Sequence, residues 1–224
     1  MLRYEGVPED GVLEGLPSHM NYEEAAPICD GALTALNFLK NVANIQNGQS
    51  ILIIGASGSI GTSAVQLAKH LGAKVTGVCS TTNLKLVKSL GADHVIDYTK
   101  DDFSKNQQSY GFIFDTIGKH SYSHCKNLLT PTGVYLSPVL GLRLLFQMLW
   151  TSKLNNKKAK FSATGLRPAS ELRILLKELK QIFEAGKIKT VIDKYYLLDQ
   201  IVNAHRYVAA GHKKGNIVIM PGLC

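Results

Sequence analysis

The residues with the clearest chemical meaning form an A-x-G-x-x-G pattern, with Ala56, Gly58 and Gly61 at its fixed positions. The apolar run 50–55 comes directly before it, and apolar residues recur at helical spacing up to Lys69 after it. A strand, a tight turn and a helix in this order can hold a phosphate, because the free N–H groups and the positive end of the helix attract an anion. The pattern therefore predicts the pyrophosphate-binding turn of a dinucleotide site.

Each position of this turn has a predicted task. A side chain at Gly58 would keep the backbone away from the pyrophosphate, and one at Gly61 would keep the helix away from the strand. The N–H groups of Ser59, Ile60 and Gly61 are expected to face the anion, and Ser57 lies in the same predicted cofactor-binding turn. An ordinary glycine turn with a helix cap is the alternative. The glycine spacing differs from the G-x-x-x-G-x-G of short-chain reductases.

The elements that must position this turn are predicted from the runs that follow it. The later β-rich runs are 74–79, 94–96, 112–115, 133–136 and 160–163. Candidate helices separate some of these runs, near 83–90, 121–129 and 140–150. Strands that alternate with helices in this way predict an α/β fold, a doubly wound parallel (Rossmann) sheet.

The two ends of the chain depart from this alternation. Residues 1–20 carry glycines and prolines among isolated apolar residues, which predicts extended segments and turns. Asn21 and Glu24 then form a capping-box pattern that predicts the start of a helix. Near the other end, the β segments 190–196 and 215–220 have no obvious partner in the sheet.

Composition limits the class of protein. With 224 residues and 45% hydrophobic content the chain can form one sizeable core. The first residues show no secretory signal, and the longest apolar segment, 133–150, is too short and broken to span a bilayer. These features predict a soluble, cytoplasmic protein without a membrane partner. The 4 cysteines are scattered, which predicts reduced thiols and no structural zinc site.

The formal net charge of +8 is concentrated in residues 151–190, which hold 10 Lys and Arg against 3 Glu. Several of these lysines follow the apolar helix predicted at 140–150, namely Lys153, Lys157, Lys158 and Lys160. An interfacial membrane helix and a nucleic-acid surface are both alternatives here. The lack of interleaved aromatic residues favours a solvated face over nucleic acid. The helix is interpreted as an element near the cofactor cleft or as a subunit contact.

Beyond these local patterns, the order of several segments resembles one family. In chain order they are VPEDGVL, NYEEAAPICDGALTALNFL, ILIIGASGSIGTSAVQLAKHLGAKVTGV, SLGADHVIDY, FDTIG and AHRYVAAGHKKGNIVI. They resemble the zinc-independent quinone oxidoreductase (zeta-crystallin-like) branch of the medium-chain dehydrogenase/reductases. The resemblance implies a protein that uses NADPH to reduce quinones or activated α,β-unsaturated carbonyls. It also implies small-molecule substrates and a possible homo-oligomer.

In that family a GroES-like catalytic domain precedes the dinucleotide-binding domain, and this chain begins at the last segment of the former. The implied division is a GroES-like remnant at 1–20, an NADP-binding Rossmann domain with flanking helices at 21–189, and a C-terminal segment returning to the catalytic domain at 190–224. We therefore expect remnants of a GroES-like β domain at both termini, with dinucleotide binding but impaired turnover. A catalytically silent NADP-binding protein or a basic RNA-binding protein on the same fold is the alternative.

Preference for NADP over NAD is predicted from the residues after the second strand. NAD sites usually carry an acidic residue there for the ribose hydroxyls, but no Asp or Glu occurs between Gly61 and Asp93. Ser80 and Lys85 offer a hydroxyl and an ammonium to a 2′-phosphate instead. Lys85 could also be a solvated helix residue.

Three further cofactor contacts rest on the resemblance alone. It implies Tyr98 against the adenine ribose, Thr34 near the nicotinamide and Ser137 on a loop beside the nicotinamide. Each of these residues could instead be a polar side chain that only stabilises a turn or the packing and does not contact a cofactor. No catalytic residue is assigned, because the family's hydride comes from the cofactor and no protein nucleophile is required.

Two other spacings suggest chemistry, and both are disfavoured. Tyr122 and Lys126 form the Y-x-x-x-K pair of short-chain reductases, but the glycine spacing contradicts that family, so a helix surface is preferred. His120, His124 and Cys125 have a spacing that can hold a metal. No carboxylate or second cysteine lies near them in the sequence to complete a coordination shell, so no metal is predicted.

Overall fold

A parallel β-sheet forms the centre of the computed structural model, which describes residues 8, 11–105, 107–154 and 156–221. Its strands are β1 Ser50–Ile54, β2 Lys74–Cys79, β3 His94–Asp97, β4 Tyr110–Asp115, β5 Leu129–Ser137 and β6 Lys158–Phe161. The 6 strands lie in the order β3-β2-β1-β4-β5-β6 and all pairs are parallel. The predicted doubly wound sheet is confirmed. The order reverses between β1 and β4, and such switch points create a crevice at the carboxyl ends of the strands.

Helices cover both faces of this sheet. Their bounds are α1 Tyr22–Ala25, α2 Gly31–Leu36, α3 Ser59–His70, α4 Leu84–Ser89, α5 Tyr122–Cys125, α6 Leu142–Leu154, α7 Ala169–Glu184 and α8 Ile201–Ala209. A π-helical segment, Asn37–Val42, continues α2. The expected helix at 83–90 is observed as α4, and Asn83 before it belongs to a 3₁₀ turn, Thr81–Asn83.

Two hydrophobic cores result from the alternation of side chains along the central strand. Ile51 and Ile53 of β1 point into a core shared with α2, α3 and α7. Leu52 and Ile54 point into a second core, which includes α5 and the inner side of α6. Because both faces of a parallel sheet are covered, β1 reads as one continuous apolar run instead of an alternating one.

The start of the helical region is fixed by a capping box, as the sequence predicts. The Asn21 side chain accepts the Glu24 N–H at 2.8 Å, and the Glu24 carboxylate accepts the Asn21 N–H at 3.2 Å. The two bonds satisfy donors that an isolated helix end leaves open.

The two β segments without a predicted partner pair with each other. Strands β7 (Ile192–Leu197) and β8 (Asn216–Met220) form a separate parallel pair, and α8 lies between them in the chain. In the predicted N-terminal remnant, residues 1–7, 9 and 10 lie outside the described residues, and no strand is present at 11–20. The division at 1–20, 21–189 and 190–224 stays a prediction. Within the described ranges, none of the helices has the length and apolar character needed to span a bilayer.

Candidate functional site

A cleft of about 820 Å³ opens at the carboxyl ends of β1, β2 and β4, next to the point where the strand order reverses. The glycine turn forms one part of its lining, through Gly55 and residues 57–60. The segment after β2, residues 98–103 after β3, the loop after β4, and Val208 with the C-terminal residues 211–213 also line it. The structure thus brings residues that are far apart in the sequence around the predicted phosphate-binding turn.

Different structural reasons explain why glycine occurs at each position of the turn. A Cβ atom at Gly61 would lie 2.0 Å from the Gly55 carbonyl oxygen, so only glycine lets α3 begin this close to β1. Gly55 has φ +77°, a conformation that other residues rarely adopt. A Cβ atom at Gly58 would meet only the Gly55 oxygen, at 3.5 Å, which is an ordinary contact. Packing within the chain therefore does not require glycine at 58, whereas a ligand close to the backbone would.

The first turn of α3 presents open hydrogen-bond donors. Within the described ranges, the N–H groups of Ile60 and Gly61 have no acceptor, and the first bond of the helix runs from the Thr62 N–H to the Gly58 oxygen at 2.9 Å. The Ser59 N–H lies at the parallel bridge between Gly58 and Gly215. α3 has 12 residues, and its basic residues, Lys69 and His70, lie in the last turn, far from its start. Its start therefore offers N–H groups and the positive end of the helix dipole to an anion, and these groups fit a pyrophosphate.

The segment after β2 is held to the glycine turn by one amide. Asn83 Nδ2 donates to Ser57 Oγ at 3.1 Å and to Ser80 Oγ at 3.1 Å. Asn83 is buried, and its Oδ1 is the buried side-chain atom left without a partner among the described residues. Ser80 Oγ also lies 3.3 Å from Thr82 Oγ1. The amide thus orients two hydroxyls at the edge of the cleft, and sequence reasoning did not identify it.

Thr81, which lies between those two hydroxyls in the chain, has a different role. Its hydroxyl donates to Asp97 at the end of β3 at 2.5 Å, and Thr99 donates to the same carboxylate at 2.6 Å. These bonds from Thr81 and Thr99 lower the pKa of Asp97. The carboxylate therefore stays ionised and fixes the loop that carries Tyr98.

The structure separates the two predicted contacts of the adenosine end. Tyr98 lines the cleft with an exposed ring, and Lys100 lies beside it in the same lining. Lys85 does not line this cleft. It lines a separate surface hollow, together with Leu84 and Lys88 of its own helix.

The wall formed by the loop after β4 is a network around one buried carboxylate. Asp115 is fully buried and accepts the N–H groups of Ile117, Gly118 and His120 at 2.8 to 3.1 Å. The Tyr135 hydroxyl lies 3.0 Å from Asp115 Oδ2 and 2.7 Å from the His120 carbonyl oxygen. Because every bond fixes backbone of the loop, this network sets the shape of the wall.

Aromatic rings cover the outer part of that wall. The Phe103 ring meets the His120 ring edge-on, with centroids 5.0 Å apart, and the His120 and His124 rings stack at 5.5 Å. All three residues line the cleft. Burial lowers the pKa of His120, and the nearby Asp115 charge offsets only part of this effect. The neutral imidazole offers a flat apolar face to a ligand in the cleft.

Thr34 and Ser137 do not line the cleft. Thr34 is half-buried in α2, one turn before Asn37, whose amide donates to Thr164 Oγ1 at 3.0 Å. Ser137 is buried at the end of β5, where its hydroxyl accepts the Val139 N–H at 3.2 Å. It lines a smaller neighbouring hollow of about 390 Å³.

The C-terminal segment supplies contacts that sequence reasoning missed. The Gly215 N–H donates to the Ser57 oxygen at 2.7 Å, and Ser59 Oγ donates to Asn216 Oδ1 at 2.5 Å. Lys213 lines the cleft, and its ammonium donates to the Gly215 oxygen at 2.6 Å. Burial lowers the pKa of Lys213, and the charges of two nearby aspartates offset only part of this effect. In the sequence, the signal that could have indicated these contacts is the pair of lysines in GHKKG, which glycines flank.

Each of the two disfavoured spacings contains a buried side chain, Tyr122 in one and Cys125 in the other. Tyr122 was expected on a helix surface, but it is buried against Tyr135 because its ring fills the second core. Burial also raises the pKa of Tyr122, opposite to what an acid–base tyrosine needs. Cys125 is fully buried, and burial raises its pKa to about 12. Among the described residues there is no cluster of three or more potential metal ligands.

Comparison with known proteins identifies the family. The sequence profile described as "Zinc-binding dehydrogenase" matches residues 90–219. The 2-methylene-furan-3-one reductase of Solanum lycopersicum is 31% identical over 92% of this chain. The quinone oxidoreductase structure from Coxiella burnetii superposes with a TM-score of 0.79 and 25% identity over 90% of this chain. The chain belongs to the quinone oxidoreductase branch of the medium-chain dehydrogenase/reductase superfamily.

These relatives are considerably longer than the chain. It spans 48% of the tomato reductase and 62% of the Coxiella structure. The mitochondrial NAD(P)H oxidoreductase RTN4IP1 of Danio rerio is 30% identical over 91% of this chain, which spans 58% of that protein. Because this relative is named as mitochondrial, a cytoplasmic location stays a prediction.

Proposed function

We propose that the cleft binds NADPH and that the protein transfers hydride to quinones or activated α,β-unsaturated carbonyls. The observation that carries the proposal is the glycine turn at the switch point of the sheet, where the Ile60 and Gly61 N–H groups are open. Membership in the quinone oxidoreductase branch supports this activity, as do the names of the tomato and zebrafish relatives.

The pyrophosphate is assigned to the start of α3. The N–H groups of Ile60 and Gly61 would donate to its oxygens, and Gly58 would let the backbone come close. Ser57 would contribute through its hydroxyl, which the Asn83 amide holds at 3.1 Å. These groups bind and orient, and none of them takes part in a bond that breaks.

Selectivity for NADPH over NADH is assigned to the end of β2. No acidic residue occurs between β2 and Asp93, so none stands there to bind the ribose hydroxyls of NAD. Ser80 and Tyr98 keep their proposed roles as adenosine-end contacts. Lys100, which lines the cleft beside Tyr98, replaces Lys85 as the proposed cation, because Lys85 lines a different hollow.

At the nicotinamide end, bound NADPH would supply the hydride from C4 of its ring. Thr34 and Ser137 stay proposed contacts of this end, and no catalytic residue is assigned. The chain's own part is to orient the ring and to exclude water from one side of it. We also propose that the reaction proceeds without zinc, since the His120 and His124 rings stack on each other and the nearby Cys125 is buried as a thiol.

The test uses one preparation of the 224-residue chain in two assays. NADPH and NADH are titrated by fluorescence, and NADPH oxidation is followed with a panel of quinones and enones. We expect saturable binding that favours NADPH together with little turnover, because Thr34 and Ser137, the proposed contacts of the nicotinamide end, lie outside the lining of the cleft. Equal affinities for both cofactors would contradict the assignment of NADP. Turnover on the order of 10 per second would show that these residues suffice for catalysis.

A further inference from the structure

Helix α6 is apolar on the side that faces the protein and also on the side that faces away. Leu144 and Thr151 are buried on its inner side, and Met148 packs against the second core. On the outer side, the side chains of Leu142, Phe146 and Trp150 are 78%, 70% and 65% exposed. A surface helix normally carries polar residues on its outer side.

This outer surface is a continuous stripe. Leu142, Phe146 and Trp150 recur four residues apart, so they lie on one face of the helix, and Leu145 borders them with 41% exposure. We call these four residues the outer stripe. Contiguous apolar surface of this kind marks an interaction site on a soluble protein, because burying it is favourable by about 25 cal/mol per Å².

The chain segment that contains the outer stripe carries charge of a single sign. No Asp or Glu occurs between Asp115 and Glu171, a range that contains the whole of α6. The basic residues of that range are Lys119, Lys126, Arg143, Lys153, Lys157, Lys158, Lys160 and Arg167. A partner that covers the stripe therefore has to be apolar at its centre and anionic around it.

A hollow beside the outer stripe has the same character. It has a volume of about 580 Å³ and lies between α5 and α6, with Phe146 and Trp150 on one side. Lys126 and Lys157 also line it, and the Lys157 ammonium donates to the Lys126 carbonyl oxygen at 2.8 Å. Two ammonium groups next to aromatic rings, with no carboxylate in the lining, suit a phosphate group attached to an apolar chain.

We propose that α6 docks on the surface of an anionic phospholipid membrane. The outer stripe enters the boundary between headgroups and acyl chains, while Lys126 and Lys157 meet lipid phosphates in the neighbouring hollow. This proposal departs from the expectation of no membrane partner, and it concerns a helix lying in the membrane surface, not one that spans the bilayer. It is independent of the proposed hydride transfer.

Two other partners fit the surface less well. A second copy of the chain would bring an equally basic and acid-free face, and the like charges would repel each other. RNA would satisfy the charge, but it offers no apolar phase for Leu142 and Leu145. An anionic bilayer satisfies both requirements at once.

The chain carries its own probe for this test, because Trp150 is its only tryptophan. Purified full chain is mixed with vesicles of phosphatidylcholine alone or of phosphatidylcholine with phosphatidylserine. Sedimentation of the vesicles and Trp150 emission are both measured. We expect co-sedimentation and a shift of the emission to shorter wavelength with the anionic vesicles only, and loss of both at high salt.

Paired variants separate the apolar and the charged parts of the surface. Leu142→Glu with Phe146→Glu should abolish the emission shift, and Lys126→Glu with Lys157→Glu should weaken vesicle binding by about tenfold or more. The matched controls are Ile174→Glu, an exposed apolar residue of α7, and Lys187→Glu, an exposed lysine after α7; both should bind vesicles like the unchanged chain. NADPH titration of every variant checks that the fold is retained.

Three outcomes would overturn the proposal. One is equal binding to neutral and anionic vesicles, or none to either. A second is short-wavelength emission without vesicles together with a dimer in analytical ultracentrifugation, which would mean that a second copy covers the stripe. The third is retention of single-stranded RNA by a chain that does not bind vesicles.

Discussion

Ser59 Oγ donates a 2.5 Å hydrogen bond to Asn216 Oδ1, although 157 positions separate the two residues in the chain. Asn216 Nδ2 in turn donates to the Val191 oxygen at 3.1 Å. This one side chain therefore connects the first residue of α3 with the end of the β7–β8 pair at which both strands begin. The glycine turn and the C-terminal segment form one structural unit through it.

Replacing Asn216 should loosen that unit. Asn216→Ala leaves the half-buried Ser59 hydroxyl and the Val191 oxygen without this partner, and we expect a loss of about 1–3 kcal/mol in the free energy of unfolding. NADPH affinity should also fall, because the segment that carries Lys213 would lose the Ser59–Asn216 bond and keep only the bond from the Gly215 N–H to the Ser57 oxygen. Urea unfolding and NADPH titration measure the two effects. Unchanged affinity would mean that the C-terminal segment does not contribute to the site.

The glycine turn provides a matched pair of substitutions. Gly58→Ala should leave urea stability within about 1 kcal/mol of the unchanged chain, since its Cβ meets only one atom at 3.5 Å, and it should weaken NADPH binding strongly. Gly61→Ala should reduce stability itself, because its Cβ would lie 2.0 Å from a backbone oxygen. If Gly58→Ala binds NADPH normally, the pyrophosphate does not lie on this turn.

The cation for the 2′-phosphate is tested by two lysines. Lys100→Ala should narrow the preference for NADPH over NADH by about tenfold or more, since a hydrogen bond to a charged group contributes about 1.5–3 kcal/mol. Lys85→Ala, in the separate hollow, serves as the control and should leave the preference unchanged. The reverse result would return the role to Lys85. Isothermal titration with both cofactors distinguishes these cases.

His120 should make stability depend on pH in a defined direction. Burial holds the pKa of His120 below its usual 6.5, so the unfolded chain binds more protons and the free energy of unfolding falls as the pH drops below about 6.5. His120→Gln keeps the two backbone bonds of this residue and should flatten this dependence in urea titrations at pH 7.5 and about 5.5. The exposed His19→Gln is the control. An unchanged slope in the His120 variant would contradict the assigned cause.

The sequence by itself determined the elements that depend on local patterns. The run 50–54, the glycine turn and the apolar spacing of α3 predict their own conformations, because strand and helix periodicities act over a few residues. The Asn21 capping box was predictable for the same reason. Gly61 could be assigned its packing role because a known turn geometry leaves no space for a Cβ atom there.

Only the tertiary structure decided which distant residues meet. Lys85 is the cation that the sequence predicts, and only the packing of α4 and of the loop after β3 places Lys100 in the cleft and Lys85 outside it. Tyr122 is buried because α5 packs on the sheet, which its spacing to Lys126 does not reveal. The pairing of β7 with β8, and the bond from Ser59 to Asn216, depend on chain closure over long separations. Such contacts are selected by the fit of whole surfaces, and no short pattern encodes that fit.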